Sequence, residues 1–146
     1  MARKISNMNQ LMKAMMPSIK ETVNEMADRV YETLNYFLLE YYYSYRPKSY
    51  IRLYDFLHSA VKVDAKVKGN KVVATVYIDT ESMNNYYNAT GVQVVRWANQ
   101  GFHGGVEKGN GTPHVWDDTM KKTIDNGELL KLAVDYLRKK GYQVQV

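Results

Sequence analysis

The chain has 146 residues, 45% hydrophobic and 24% charged, with a net charge of +5 and no cysteine. That length fits one domain with one core, and the lack of cysteine excludes a disulfide framework, a thiolate nucleophile and a cysteine metal site. The charge permits contact with DNA without arguing for it, because nucleic-acid binders gather their cations on one face and the lysines here are spread along the sequence.

Residues Met1 to Gln10 are too polar for the apolar region of a signal peptide. No apolar run approaches the length of a membrane span. The expectation is a soluble protein that is not exported and has no membrane partner. The first element is a helix. Ile19, Val23, Met26, Val30, Leu34, Phe37 and Tyr41 recur in steps of three and four, one stripe at the helical period. Lys20, Glu21, Asn24, Glu25, Asp28 and Glu32 fill the other faces. Pro17 interrupts the pattern, which predicts a short N-terminal helix and then a main helix from about Pro17 to about Tyr43. Residues 1–146 read as a single domain, with residues 1–16 an arm able to move on it.

Pro47 ends this helix and pushes Arg46 to extended geometry. Around it runs Tyr41-Tyr-Tyr-Ser-Tyr-Arg-Pro-Lys-Ser-Tyr-Ile-Arg-Leu-Tyr-Asp-Phe. Each tyrosine combines a large apolar ring with a hydroxyl that wants a partner, and Tyr with Arg is enriched at interface hot spots. The whole chain holds 13 Tyr and 8 Met against 3 Phe, so its apolar area comes largely with polar tips or pliable thioethers. Tyr41, Tyr42, Tyr43, Tyr45, Arg46, Tyr50, Arg52 and Tyr54 are therefore the candidate interface anchors. The competing reading is that part of this run braces the helix against the sheet from inside.

A hairpin follows. Val61, Val63, Ala65 and Val67 alternate with polar residues, Gly69-Asn70 makes a two-residue turn, and Val72, Ala74, Val76 and Ile78 return. The expected register pairs Lys68 with Lys71, Val67 with Val72, Ala65 with Ala74, Val63 with Val76 and Val61 with Ile78, which leaves the lysines on a solvated face. Residues 79–91 read as a polar loop. Gly91 to Asn99 suits a short helix through Val92, Val95 and Ala98, capped by Gly101. A glycine-rich loop runs to His114. Trp116, Met120 and Ile124 make the next helical stripe. Asp125 or Asn126 caps a last helix with Leu129, Leu130, Ala133, Val134 and Leu137 on its apolar face. Arg138 and the two lysines after it complement that helix's dipole. Gly141 ends it, and Tyr142, Val144 and Val146 alternate as a final strand. The fold class is α+β, with a long N-terminal helix and C-terminal helices packed on a small antiparallel sheet built around the hairpin.

No constellation for catalysis emerges. His103 and His114 flank the glycine-rich loop, and Asp117 and Asp118 follow, but the spacing matches no zinc motif. Adjacent Asp117 and Asp118 point to different sides of a helix. The expectation is no enzyme, no cofactor and no metal, with a small hydrolase using His103 or His114 as the third reading.

The long helix, the segment Tyr45-Arg-Pro-Lys-Ser-Tyr-Ile-Arg-Leu-Tyr-Asp-Phe-Leu, the hairpin, Trp97-Ala-Asn-Gln-Gly-Phe-His-Gly-Gly and the ending Leu137-Arg-Lys-Lys-Gly-Tyr-Gln-Val together resemble small neck and tail-completion proteins of long-tailed bacteriophages and prophages. The polar loop at 79–91 and the tyrosine run depart from the commoner members. The resemblance implies a virion structural protein of the neck or tail region, made in the host cytoplasm. It further implies a ring of identical subunits joining the head connector to tail proteins, with DNA passing through. The alternative is a basic domain that binds single-stranded nucleic acid, with tyrosines stacking on bases.

Overall fold

Asn7 starts the longest element: its Oδ1 accepts from the Gln10 N–H at 2.9 Å, and helix α1 then runs from Met8 to Tyr43 without a break. The computed structural model describes residues 6–45, 54–83, 89–103, 107–108 and 112–145. The expected division of α1 at Pro17 does not occur. Pro17 and Lys13 both lie on the exposed side, where water can take the carbonyl that the proline fails to pair. After α1 come strands β1 (Ala60–Lys68) and β2 (Lys71–Ile78), a 3₁₀ turn (Glu81–Met83) and helix α2 (Gly91–Asn99). Short strands β3 (Phe102–His103) and β4 (Glu107–Lys108) pair with each other. Helix α3 (Val115–Met120) passes through a π turn (Lys121–Asp125) toward helix α4 (Glu128–Lys139). The class is α+β, as the sequence predicts.

Helix α1 is the spine. The hairpin packs on it, and α3 and α4 also pack along it. Leu34, Leu38, Tyr41 and Tyr42 of α1 meet Phe56, Ala60, Met83, Val94, Ala98 and Val115 in one core. Met83 is fully buried, so the segment read as a polar loop contributes to that core. In α2 the buried positions are Val94 and Ala98, while Val92 points out. Thr90 and Gln93 form a reciprocal capping box at the start of α2.

The hairpin is the most instructive departure. Its tip follows the expected register: Lys68 opposes Lys71 and Val67 opposes Val72, with Gly69 at φ 61° in the turn. Beyond Lys66 the register shifts by one, so Val63 opposes Thr75, Lys62 opposes Val76 and Ala60 opposes Ile78. Asp64 and Ala65 thus form a β-bulge facing Ala74. A bulge leaves a backbone amide without its ladder partner, and α1 supplies one: Asn24 Oδ1 accepts from the Ala65 N–H at 2.7 Å. One turn along α1, Asp28 meets the Lys62 ammonium, and that hydrogen bond raises the Lys62 pKa. Asn24 and Asp28, assigned by periodicity to the outer face of α1, in fact dock the hairpin. Replacing Asn24 with Leu is expected to cost about 1–3 kcal/mol, the desolvation of an unmet amide, while Asn24→Asp keeps the acceptor. Denaturant unfolding of the two variants checks this; equal midpoints would remove the role given to the side chain.

The C-terminal half also differs in detail. Of the expected stripe, Trp116 packs against the core, but the buried positions are Val115, Thr119 and Thr123, and Ile124 is exposed. Thr119 and Thr123 tolerate burial because each hydroxyl donates to the carbonyl one turn back, at 2.7 Å. In α4 the buried positions are Leu129 and Val134, and Leu130 faces out. Gly127, not Asp125 or Asn126, occupies the N-cap position, though Asn126 Oδ1 accepts from the Glu128 N–H at 3.1 Å. Residues 142–145 form no strand. Arg138 donates to the Val144 carbonyl at 2.9 Å, and the Tyr142 hydroxyl reaches Ser18 of α1 at 3.3 Å; Val146 lies outside the described residues. Arg29 with Glu128, and Lys140 with Glu21, join α1 to α4 by ion pairs.

Candidate assembly interface

The tyrosine run divides at the end of α1. Successive helical residues point about 100° apart, so Tyr41, Tyr42 and Tyr43 cannot share one environment. Tyr41 and Tyr42 are buried. The Tyr41 hydroxyl donates to the Phe102 carbonyl at 2.8 Å, and the Tyr42 hydroxyl accepts from the Leu57 N–H at 3.2 Å. Phe56 packs edge-on against Tyr41, with ring centroids 5.5 Å apart. These two tyrosines brace α1 against the segment that leads into the hairpin and against β3. Tyr43 is 74% exposed and Tyr54 is 53% exposed. Tyr54 is stacked on Tyr42, with centroids 5.6 Å apart. Tyr45 is half-buried. Arg46, Tyr50 and Arg52 lie outside the described residues.

Two exposed faces carry apolar groups that sequence reasoning did not assign to a surface. On α1, Tyr36 and Leu39 are exposed, and with Tyr43 they recur at i, i+3 and i+7. This stripe lies opposite Leu34 and Leu38, which are fully buried, and Glu32 and Glu40 flank it. A second apolar period, offset from the core stripe, was its available signal. On the hairpin, the bulge turns Val61 and Val63 to the face that carries Thr75 and Tyr77. Val73 and Tyr77 there are about two-fifths exposed. Lys66, Lys68 and Lys71 surround the tip of this sheet and enter no ion pair among the described residues. The outer face expected to be solvated lysine is therefore basic at its tip and apolar toward its base.

His114 is held at a structural junction. Its Nδ1 lies 2.8 Å from the Asn99 carbonyl, an acceptor only, so this nitrogen carries the proton. The His114 N–H donates to Asp118 at 2.9 Å, and the Asp117 N–H donates to the Asn99 side chain at 2.8 Å. These bonds lock the end of α2 to the start of α3. The His103 side chain lies outside the described residues. Among the described residues, no three His, Asp or Glu side chains are placed to hold a metal ion. An open groove between α1 and α4 is lined by Glu25, Glu128 and Asp135 against Arg29, Lys131 and Lys139, a balance that selects neither anions nor cations. Arg29 donates to Glu128 and holds its carboxyl below the usual range. No described helix is long and apolar enough to cross a membrane.

The family model described as YomN matches residues 7–139. The chain belongs to the YomN family. No curated protein and no solved structure matches it. The YomN match begins at Asn7, the N-cap of α1, and ends at Lys139, the last residue of α4. It therefore takes in the spine, the hairpin and both exposed faces. Membership of the YomN family makes this a phage- or prophage-associated protein.

Proposed function

We propose that this YomN-family protein is a virion structural subunit of a tailed phage or prophage. In this reading it forms a homo-oligomeric ring at the neck or tail-completion junction, between the head connector and the tail, and is not a catalyst. It is made in the host cytoplasm and ends in the particle. The observation that carries the reading is the pair of exposed apolar faces on one chain. A spine helix that is buried along one side and aromatic on the other has a second surface to cover. The resemblance in motif order to neck and tail-completion proteins supplies the location.

Sedimentation equilibrium of the purified protein over rising concentration tests this. The expected result is a single closed species at a fixed multiple of the subunit mass. Open-ended growth would contradict a ring. The lysines at the hairpin tip, without an ion pair among the described residues, favour the second reading, a single-stranded nucleic-acid binder. A protein that stays monomeric and binds an oligonucleotide with a steep salt dependence would establish that reading instead.

A further inference from the structure

We propose that the outer face of the hairpin docks on the exposed Tyr36–Leu39–Tyr43 face of α1 in a second copy of this chain, head to tail. The inference rests on the ring reading and names the contact within it.

The two faces match in chemistry. The hairpin offers Val61, Val63, Val73 and Tyr77, with the ammonium groups of Lys66, Lys68 and Lys71 toward the tip. The helix offers two tyrosines and a leucine, with the carboxylates of Glu32 and Glu40 beside them. Opposite charges around an apolar centre set register and suppress wrong partners. Lys68 and Lys71 stand directly opposite each other across the hairpin. Such a like-charge pair is unfavourable until anions approach it, and Glu32 and Glu40 belong to no ion pair among the described residues. The inner face of the same hairpin already packs on α1 with an Asp28–Lys62 ion pair at its margin. A helix on this sheet with carboxylate–ammonium pairing is thus an arrangement the molecule already uses.

The lysine tip cannot reach the aromatic face within one copy. Ala65 sits beside Asn24, and Lys62 beside Asp28. Strand β1 therefore runs against the direction of α1, and the tip projects toward the N-terminal half of the helix. The aromatic face lies the other way, with Leu39 roughly 20 Å beyond the level of Asn24 at about 1.5 Å per residue. Two different patches of one subunit, a sheet face and a helix face, make a heterologous contact, the kind that closes into rings.

Charge reversal on the full chain tests the contact. Lys68→Glu with Lys71→Glu makes both faces acidic; Glu32→Lys with Glu40→Lys makes both basic. Each double variant alone is expected to associate at least tenfold more weakly than the wild type. An equimolar mixture is expected to recover association, because acidic hairpin then meets basic helix and basic hairpin meets acidic helix. Thermal melts of the separate variants, read by circular dichroism, confirm that both fold. Should either fail to fold, the absence of cysteine allows Tyr36→Cys and Val73→Cys proteins to be mixed, with a disulfide expected between them in preference to either with itself. Wild-type association that both reversals leave unchanged would overturn this contact and leave the ring reading standing. A wild type that stays monomeric would overturn both; loss of oligonucleotide binding in the lysine variant would then assign the tip to nucleic acid.

Discussion

Gly91→Ala is expected to lower the unfolding midpoint by on the order of 10 °C. A β-carbon added at Gly91 would stand 1.8 Å from the Thr80 carbonyl oxygen and 2.7 Å from its carbon. Both are main-chain atoms, so no side-chain rotation relieves the overlap. Either the start of α2 or the segment after β2 must move. Overpacking costs typically 1–3 kcal/mol, and a forced backbone shift belongs at or above the upper end; about 3 kcal/mol in a domain of this size corresponds to the stated shift. The direction makes the test sharp. Gly to Ala near the start of an ordinary helix stabilises by up to about 1 kcal/mol, so helix propensity and steric overlap predict opposite signs. Gly69→Ala is the companion measurement. Gly69 has φ 61° in the hairpin turn with nothing within 4 Å of the added carbon, so only left-handed strain of about 1–2 kcal/mol applies. A Gly91→Ala protein as stable as the wild type would mean that α2 does not press on Thr80.

The clash shows what α2 does. Its first residue sits against the end of the hairpin, and its last, Asn99, is locked to the start of α3 through His114 and Asp117. Helix α2 therefore couples the sheet side of α1 to the helical side. A shift at Gly91 is expected to be felt at Val94 and Ala98, which lie in the shared core.

How much of this was legible follows from what each signal depends on. The turn at Gly69-Asn70 was readable because a two-residue loop dictates the pairs beside it. The bulge was not, because alternation through Val61, Val63, Ala65 and Val67 is unbroken in sequence. The acceptor that satisfies the bulge is Asn24, 41 residues earlier. Local bonds hid the threonine stripe of α3 and the π turn, since a hydroxyl bonded back to the carbonyl one turn earlier packs like an apolar group. The final strand was over-read: Tyr142 and Val144 alternate, but the Val144 carbonyl is taken by Arg138. For the candidate site, composition located the tyrosine run, while the choice between bracing and contact needed the helix phase. Tyr41 and Tyr42 brace, Tyr43 is exposed, and Tyr36 and Leu39 extend its face although neither stood out in sequence.

Phe56→Ala separates the inner role of that run from the outer one. Phe56 is 1% exposed and packs on both buried tyrosines, with ring centroids 5.5 Å from Tyr41 and 6.4 Å from Tyr42. Truncating a buried phenylalanine costs about 3–5 kcal/mol through lost transfer energy and the cavity left behind. Against a total stability of about 5–15 kcal/mol, that is enough to bring the dilute protein close to unfolding at growth temperature. Near-ultraviolet circular dichroism is expected to weaken as Tyr41 and Tyr42 lose the wall that fixes them. Tyr43→Ala gives the opposite pattern: an exposed side chain away from the core changes stability by no more than about 0.5 kcal/mol, so the monomer melts as the wild type does. On the head-to-tail contact, self-association falls in that variant because the ring is one of its anchors. Melting at low concentration and sedimentation at high concentration, on the same two proteins, read the two effects apart. A Tyr43→Ala protein that loses stability as Phe56→Ala does would place Tyr43 in the fold and take the outer face of α1 out of the assembly.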